Sequence, residues 1–362
     1  MRFLLAGCVV VYHYFYVGPA VGVVPGELFW TSHLVYGGYA VAAFFIISGY
    51  VISLSSVGKT ASQFFASRVS RLYPALFCCT LMTGFIFFAS GGMNNSLLIM
   101  TSLKSLAFLP MLGGGKMIDP AYWSIVYELR FYSFVMLLIL AGSIDRVLEM
   151  LTLFVFLGAG LVLLGLDTEF AAYVLFPYAP FFALGVILFR RRDEGWTTYL
   201  KGMLALHFVA AVHGGYFDFG RYDMLDVSQV AIWGMTIVVA VSLALVIFAE
   251  NVTVPEHFGP FAILLGGMSY PLYLLHQAVG YICIDFMSRY IGAPAASATM
   301  LVAVLVASFF VYRFIERSFG KSLKRGILSM LPPRGAALPT GQVGQPATIK
   351  IPTPRNTKGE QK

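Results

Sequence analysis

Charge is the scarcest feature of this 362-residue sequence: Asp, Glu, Lys and Arg make up 11% of it, whereas 59% of its residues are hydrophobic. A typical soluble domain carries about 25% charged residues. Together with a mean hydropathy of +0.80, this scarcity excludes a soluble enzyme and leaves no room for a separate soluble domain. The net charge of +7 comes from short loops and the C-terminal segment, and no basic patch suits DNA or RNA.

Cysteine is also scarce, and its spacing indicates no special chemistry. The four cysteines form no C-x-x-C pair, and at least two fall inside apolar runs, so we expect buried thiols and neither a metal site nor a disulfide framework. A cleavable leader is not indicated either. No small-residue cleavage site follows the apolar run that begins at Phe3, which we interpret as the first membrane crossing. The sequence also lacks repeats of solenoid length and a recognisable inverted repeat, which counts against a repeat-built transporter.

Long apolar runs are abundant. A helix needs about 20 apolar residues to cross the hydrocarbon layer, and these runs lack the strict alternation of a membrane β-barrel. We therefore predict an all-α, polytopic membrane bundle of about ten transmembrane helices. The shorter segment 96–112 contains Lys104 and is predicted to be re-entrant or to lie at the surface. The predicted spans are 3–24, 35–54, 72–89, 121–142, 147–166, 171–189, 199–216, 228–249, 259–284 and 295–315.

The distribution of Lys and Arg predicts the orientation of the bundle. With ten spans and a cytoplasmic N-terminus, most basic residues fall on inner loops, as the positive-inside rule requires. Both termini are then cytoplasmic. The outer loops retain only Lys104, Lys116, Arg221 and Arg289. We predict a membrane-embedded domain over 1–321 and a basic, Pro/Gly-rich, disordered cytoplasmic tail over 322–362, whose composition offers too little apolar surface to fold.

Ionisable groups at membrane depth are costly and are functional candidates by default. His13, Glu128, Arg130 and His276 lie within predicted spans. A histidine and a carboxylate together suit general-base catalysis, in which the carboxylate holds the imidazole tautomer. The predicted depths of His13 and Glu128 permit such proximity without requiring it. The alternative for His13 is a histidine hydrogen-bonded to a neighbouring helix for structural reasons alone.

A basic segment on the predicted inner face suits phosphate binding. Lys59, Arg68 and Arg71 lie in a predicted loop, KTASQFFASRVSRLYP, and the two arginines would share one face if the segment were helical. Guanidinium groups bind phosphates in a fork geometry, so a nucleotide-bearing donor could approach from the cytoplasm. The alternative is ordinary positive-inside topology signalling.

Six motifs in order carry a family resemblance. They are RFLLAGCVVVYH at 2–13, FFIISGYVIS at 44–53, FFASRVSRLYP at 64–74, YWSIVYELRFY at 122–132, SYPLYLLH at 269–276 and YRFIERSFGK at 312–321. In content, order and spacing the sequence resembles the membrane acyltransferase-3 family, the O-acetyltransferases of bacterial polysaccharide, lipopolysaccharide and related glycans. The resemblance covers residues 2–321.

The resemblance implies roles for particular residues. His13, with Arg2, matches the Arg-x10-His motif whose histidine is considered catalytic. Arg68 and Arg71 match the Arg-x-x-Arg motif associated with the acyl-coenzyme A donor on the cytoplasmic side, and Arg2 is grouped with this donor site. Glu128 matches the acidic position of the Trp-Ser-x-x-x-Glu segment and joins His13 as a catalytic candidate.

Other residues receive weaker roles. Ser124, Tyr270 and His276 are expected to line the substrate cavity, or alternatively to be satisfied helix-packing groups. Ser48 and Gly49 match a Phe-Phe-x-x-Ser-Gly run that we assign to close helix packing. The family usually has an apolar residue where this chain has Arg130, and residues two apart on a helix do not face each other, so we do not expect Arg130 to neutralise Glu128.

The predicted function is transfer of an acyl group, with acetyl favoured, from acetyl-coenzyme A at the cytoplasmic face to a saccharide hydroxyl. Acyl-coenzyme A is a co-substrate, and no bound cofactor is expected; the other partners are the saccharide acceptor and the lipid of a bacterial inner membrane. Two alternatives remain open: a proton-coupled carrier or flippase for a lipid-linked sugar, and a non-catalytic membrane subunit. His207 and His213 fit no ligand spacing and are expected to be core or cavity-lining residues.

Overall fold

The computed structural model describes residues 1–25, 34–107, 116–165, 178–219, 228–253 and 255–331, and every regular element in these ranges is a helix. The all-α prediction is therefore confirmed over the described part of the chain. We number the helices α1 Arg2–Ala20, α2 Ala40–Ser56, α3 Ala61–Ser90, α4 Asn95–Leu106, α5 Trp123–Leu140, α6 Val147–Leu163, α7 Ala179–Glu194, α8 Thr198–Phe219, α9 Ser228–Asn251, α10 Gly259–Leu275, α11 Ala278–Ile291 and α12 Ala293–Met330.

Seven stretches of the described residues are long and apolar enough to cross a membrane, by length and composition. They correspond to α1, α2, α3, α5, α9, α10 and α12. The other three predicted spans correspond to α6, with 17 residues, α7, with 16, and α8, with 22. Of these, α6 and α7 are shorter than the roughly 20 residues that a crossing needs. The chain is thus a multi-pass membrane protein, while the total of about ten crossings stays a prediction.

The centre of the bundle is the crossing of α2 and α7. A Cβ atom added at Gly49 would overlap the Phe182 carbonyl, and one added at Gly185 would overlap the Ile46 carbonyl. The two backbones are therefore in direct contact, as small residues allow in membrane helix pairs. This confirms the packing role predicted for Gly49. Helix α7 is buried from Ala179 to Leu188, so it forms the core around which the other helices pack.

The structure corrects three boundaries. The predicted loop containing Arg68 and Arg71 is the first part of α3, which begins at a capping box formed by Thr60 and Gln63. The predicted span 259–284 is interrupted at residues 276 and 277, where α10 ends and α11 begins. Helix α12 continues to Met330, so residues 322–330 are helical rather than part of a disordered tail; the rest of that predicted tail, from residue 332, lies outside the described residues.

Two departures from regular α-helix lie beside the histidines. Residues His13–Val17 of α1 form a π-helical turn, a feature that often occurs at functional sites. Pro19 follows, and because proline has no N–H and crowds the carbonyl four residues earlier, a wider turn accommodates it. The α10–α11 break is held by Asp119, whose fully buried carboxylate accepts hydrogen bonds from the backbone N–H groups of Ala121 (2.8 Å) and Ala278 (2.9 Å).

Candidate active site

A pair of histidines lies where α1 meets the α10–α11 break. His276 Nε2 is 3.1 Å from His13 Nδ1, and the two ring centroids are 4.8 Å apart. His276 is fully buried and half-buried His13 lies on the π-helical turn. The structure thus brings together two predicted site residues that are 263 positions apart in the sequence.

The carbonyl partners of the two histidines assign their tautomers. His13 Nδ1 is 2.9 Å from the Val9 carbonyl oxygen, and His276 Nδ1 is 2.7 Å from that of Tyr273. A carbonyl oxygen only accepts hydrogen bonds, so both Nδ1 atoms carry the proton in the neutral rings. His276 Nε2 then accepts a bond from the His13 N–H that also points to Val9. His13 Nε2 consequently keeps its lone pair, which is what a general base requires.

His13 and Glu128 are not joined by a hydrogen bond within the described residues. The groups that orient the His13 ring are the Val9 carbonyl and His276. The hypothesis that Glu128 holds the His13 tautomer is therefore wrong. The family motifs and the predicted depths of the two residues contain no information on which side chains meet across helices. Glu128 instead belongs to a neighbouring cavity.

The cavity lies between α1, α2, α5 and α10, and its empty volume, including the part open to solvent, is about 430 Å³. Its polar wall contains Arg2, Ser48, Ser124, Glu128, Ser269, Tyr270 and Tyr273, and its apolar wall Val41, Phe44, Phe45 and Ile125. Ser124 and Tyr270 both line this cavity, and their role toward a substrate stays a prediction. His276 is not in the wall but touches it through Tyr273, whose ring centroid is 5.3 Å away.

Three polar side chains follow one face of α5 at intervals of one helical turn: Ser124, Glu128 and Tyr132. We call them the α5 ladder. Each interval of four residues advances about 6 Å along the helix. Ser124 Oγ is 2.7 Å from the Tyr273 hydroxyl, so the Ser124 end of the ladder meets α10, the helix that ends just before His276.

The carboxylate of Glu128 is held from two sides. Ser48 donates to Glu128 Oε1 at 2.7 Å, and the Tyr132 hydroxyl donates to the same oxygen at 2.6 Å. No hydrogen bond to Glu128 Oε2 is found in the part of the chain that the structure describes. Ser48 therefore does more than allow close packing, because its hydroxyl fixes a carboxylate in the cavity wall.

The lower end of the α5 ladder meets one of the two predicted donor arginines. The Arg68 guanidinium carbon lies 5.7 Å from the centre of the Tyr132 ring and 5.5 Å from that of Phe64, within the range of cation–π attraction. Arg71 is exposed, and its charge interacts with Glu316. Of these two arginines, Arg68 is the one that contacts the α5 ladder, and it is linked to the cavity wall through Tyr132 and Glu128.

Two buried polar atoms in the cavity wall have no hydrogen-bond partner among the described residues: Arg2 Nε and the Tyr270 hydroxyl. Buried polar atoms are nearly always bonded, so unpartnered ones need a reason. Both atoms are hydrogen-bond donors in the wall of the cavity, so they are available to an acceptor bound there. The Arg2 guanidinium also packs 5.6 Å from the centre of the Phe44 ring.

Comparison with known proteins decides the family. A family model described as an acyltransferase domain, acyltransferase-3, matches residues 1–313. The chain belongs to this family. Over 52 residues it is 46% identical to a protein of Shigella phage Sf6 named O-acetyl transferase, a match that spans 14% of this chain and 16% of the phage protein. No solved structure matches the chain. The predicted family is confirmed, and its class of enzyme is the acyltransferases.

Sequence reasoning missed several residues of this candidate site. Tyr132 follows Glu128 by one turn, a spacing that could have identified it. Tyr273 and Asp119 gave no such signal, because their partners are 149 and 159 positions away. Arg130, the departure from the family pattern, lies over the Tyr127 ring at 5.1 Å. His207 is a buried core residue that is hydrogen-bonded to Thr152 at 2.9 Å, as predicted.

Proposed function

We propose that this acyltransferase transfers an acetyl group from acetyl-coenzyme A to a hydroxyl of a cell-surface or lipid-linked saccharide in a bacterial inner membrane. The donor binds from the cytoplasm, where both termini lie. The observation that carries the proposal is the lone pair left on His13 Nε2 by the two carbonyl-fixed tautomers. The name of the phage relative, O-acetyl transferase, supports acetyl as the acyl group.

In the proposed reaction, His13 Nε2 removes the proton of the acceptor hydroxyl while the hydroxyl oxygen attacks the thioester carbonyl carbon. The resulting imidazolium is stabilised by the Val9 carbonyl and the His276 lone pair, which both face its Nδ1–H. Collapse of the tetrahedral intermediate breaks the carbon–sulfur bond. The His13 proton then passes to the departing coenzyme A thiolate, so the base returns to its neutral form.

The cavity residues have supporting roles in this scheme. Arg2 Nε and the Tyr270 hydroxyl are buried donors in need of an acceptor, and an oxyanion at the thioester carbonyl would be one. Glu128, held by Ser48 and Tyr132, has Oε2 available to accept a hydrogen bond from the saccharide. Arg68, with Arg71, binds phosphates of the donor at the cytoplasmic end.

The test uses the purified protein in lipid nanodiscs, labelled acetyl-coenzyme A and a saccharide acceptor. We expect wild-type protein to transfer label and His13→Gln to be slower by about 10²–10⁴-fold, the usual contribution of a general base. Gel filtration of the variant controls for folding. Movement of intact lipid-linked sugar by wild-type protein, without acetyl transfer, would replace this proposal by the carrier or flippase.

The natural acceptor is identified by the mass of surface glycans from cells with and without the protein. Loss of one acetyl mass from a glycan on deletion, restored by wild-type protein and not by His13→Gln, is the expected result. Unchanged glycan masses would argue against a saccharide acceptor while leaving the acyl transfer itself to the nanodisc assay.

A further inference from the structure

The C-terminal end of α12, Arg317–Met330, is a strongly amphipathic helix that packs against α3. At the point of contact, a Cβ atom on Gly320 would lie 2.8 Å from the Ser70 carbonyl oxygen. Ser70 stands between Arg68 and Arg71 in the sequence. The end of α12 therefore lies directly against the segment that carries the donor arginines.

The charges on the two helices give the direction of this packing. Glu316 is attracted by the charge of Arg71. Lys324, which follows Glu316 by eight residues, repels Lys59, which precedes Arg71 by twelve residues. The two helices are thus antiparallel. With Gly320 opposite Ser70, Lys324 lies about 6 Å further along, one helical turn closer to the start of α3.

Lys59, Arg68 and Lys324 form a cluster of three cations from the α2–α3 connection, α3 and α12. Lys59 is half-buried, and burial, together with the charges of Arg68 and Lys324, lowers its pKa. The ion pairs found among the described residues involve Arg190, Arg191 and Arg289, and none of these is in the cluster. Apart from the attraction between Arg68 and Glu128, the charges of the cluster repel one another, so the cluster is suited to an anion.

We propose that Lys59 and Lys324 bind phosphate groups of the acyl donor beside Arg68, so that the end of α12 forms one wall of the cytoplasmic donor site. This inference rests on the proposed function, which supplies coenzyme A as the donor. Its adenosine 3′-phosphate and its diphosphate together present several negative charges to one short region. A cluster of three cations on three elements matches that distribution better than the two arginines of α3 alone.

Phosphate chemistry is shared with anionic lipid headgroups, which also bind basic amphipathic helices at the inner membrane surface. The donor is favoured because Arg68 connects the cluster to the cavity through Tyr132 and Glu128. Binding of a lipid headgroup at the cluster would not require a connection to the cavity.

Binding of labelled coenzyme A to the full-length protein tests the inference, in nanodiscs of phosphatidylcholine alone. We expect Lys59→Gln and Lys324→Gln each to weaken binding about fivefold at low ionic strength, the upper range for partly exposed charge pairs. The control Lys201→Gln makes the same charge change on an exposed lysine of α8 and is expected to bind like wild type. S-acetylpantetheine, which has the thioester without the phosphates, should compete equally in all four proteins.

Three outcomes contradict the inference. Equal coenzyme A binding by wild type, Lys59→Gln and Lys324→Gln removes the cluster from the donor site and leaves the proposed function intact. Co-purification of less phosphatidylglycerol with the two variants than with wild type, before reconstitution and with unchanged coenzyme A binding afterwards, assigns the cluster to a lipid headgroup. Absence of any coenzyme A binding by wild-type protein overturns the donor assignment of the proposed function, and this inference with it.

Discussion

The His13 ring is oriented by a carbonyl and a second imidazole rather than by a carboxylate. A carboxylate beside a base raises its basicity by charge, whereas a neutral His276 accepts a hydrogen bond without adding charge. In a low-dielectric bundle a neutral histidine is the less costly partner for His13, because a buried carboxylate would itself need a partner. Glu128 meets that need with two hydroxyl donors and remains separate from the base.

Substitution of His276 tests whether its role is to fix the tautomer of His13. Glutamine offers a side-chain oxygen that can accept the His13 Nδ1–H, whereas phenylalanine fills similar space and accepts nothing. We expect His276→Phe to reduce kcat for acetyl transfer by about 10²-fold, the lower range for a step that depends on a positioned base. His276→Gln should retain a larger share of the wild-type kcat.

The pH profile of kcat distinguishes a positioning role of His276 from a loss of activity caused by damage to the fold. Loss of the acceptor at His276 removes stabilisation of the His13 cation, so the profile of His276→Phe should shift relative to wild type and that of His276→Gln should shift less. Equal activities and equal profiles for the two variants would show that His276 only fills space.

At the scale of helices, most of the fold follows from the long apolar runs, whereas most of the site does not. The runs at 35–54 and 121–142 are close to the observed α2 and α5 because bilayer thickness sets their length. The π-helical turn at His13–Val17 and the α10–α11 break could not be predicted this way. Each depends on tertiary contacts, such as the bond from the Ala278 N–H to Asp119, that a single segment does not encode.

The α2–α7 crossing provides a prediction at this scale. A Cβ at Gly49 would overlap the Phe182 carbonyl, and the backbone cannot move aside as a flexible side chain would, so Gly49→Ala should destabilise the bundle by about 1–3 kcal/mol, as overpacking does. The measurement is the temperature at which detergent-solubilised protein loses its monodisperse gel-filtration peak.

Gly202→Ala is the matched control for Gly49→Ala. Gly202 lies in α8 with no atom within 4 Å of an added Cβ, and there alanine is expected to be neutral or slightly stabilising. Similar losses of thermal stability in the two variants would mean that the backbone contact at Gly49 does not hold α2 and α7 together.

For the whole molecule, the family motifs select candidate residues but do not say how these residues connect. His13, Glu128 and Arg68 were all predicted from motifs. In the structure His13 pairs with His276, Glu128 pairs with Ser48 and Tyr132, and Arg68 lies against Tyr132. These contacts link Arg68 to Glu128 through Tyr132 and, separately, His13 to His276. Such connections join residues on several helices, and one sequence contains no direct record of helix neighbours.

The use of a cytoplasmic donor requires one orientation of the bundle, which labelling can establish. In a variant without the four native cysteines, we expect Arg289→Cys to react with an impermeant maleimide from outside intact cells, and Lys201→Cys to react only after permeabilisation. Both positions are exposed, so accessibility to the reagent depends on the side of the membrane. The reverse pattern would place Arg68 and Lys59 on the side without acetyl-coenzyme A, and a donor entering there could not be a cytoplasmic thioester.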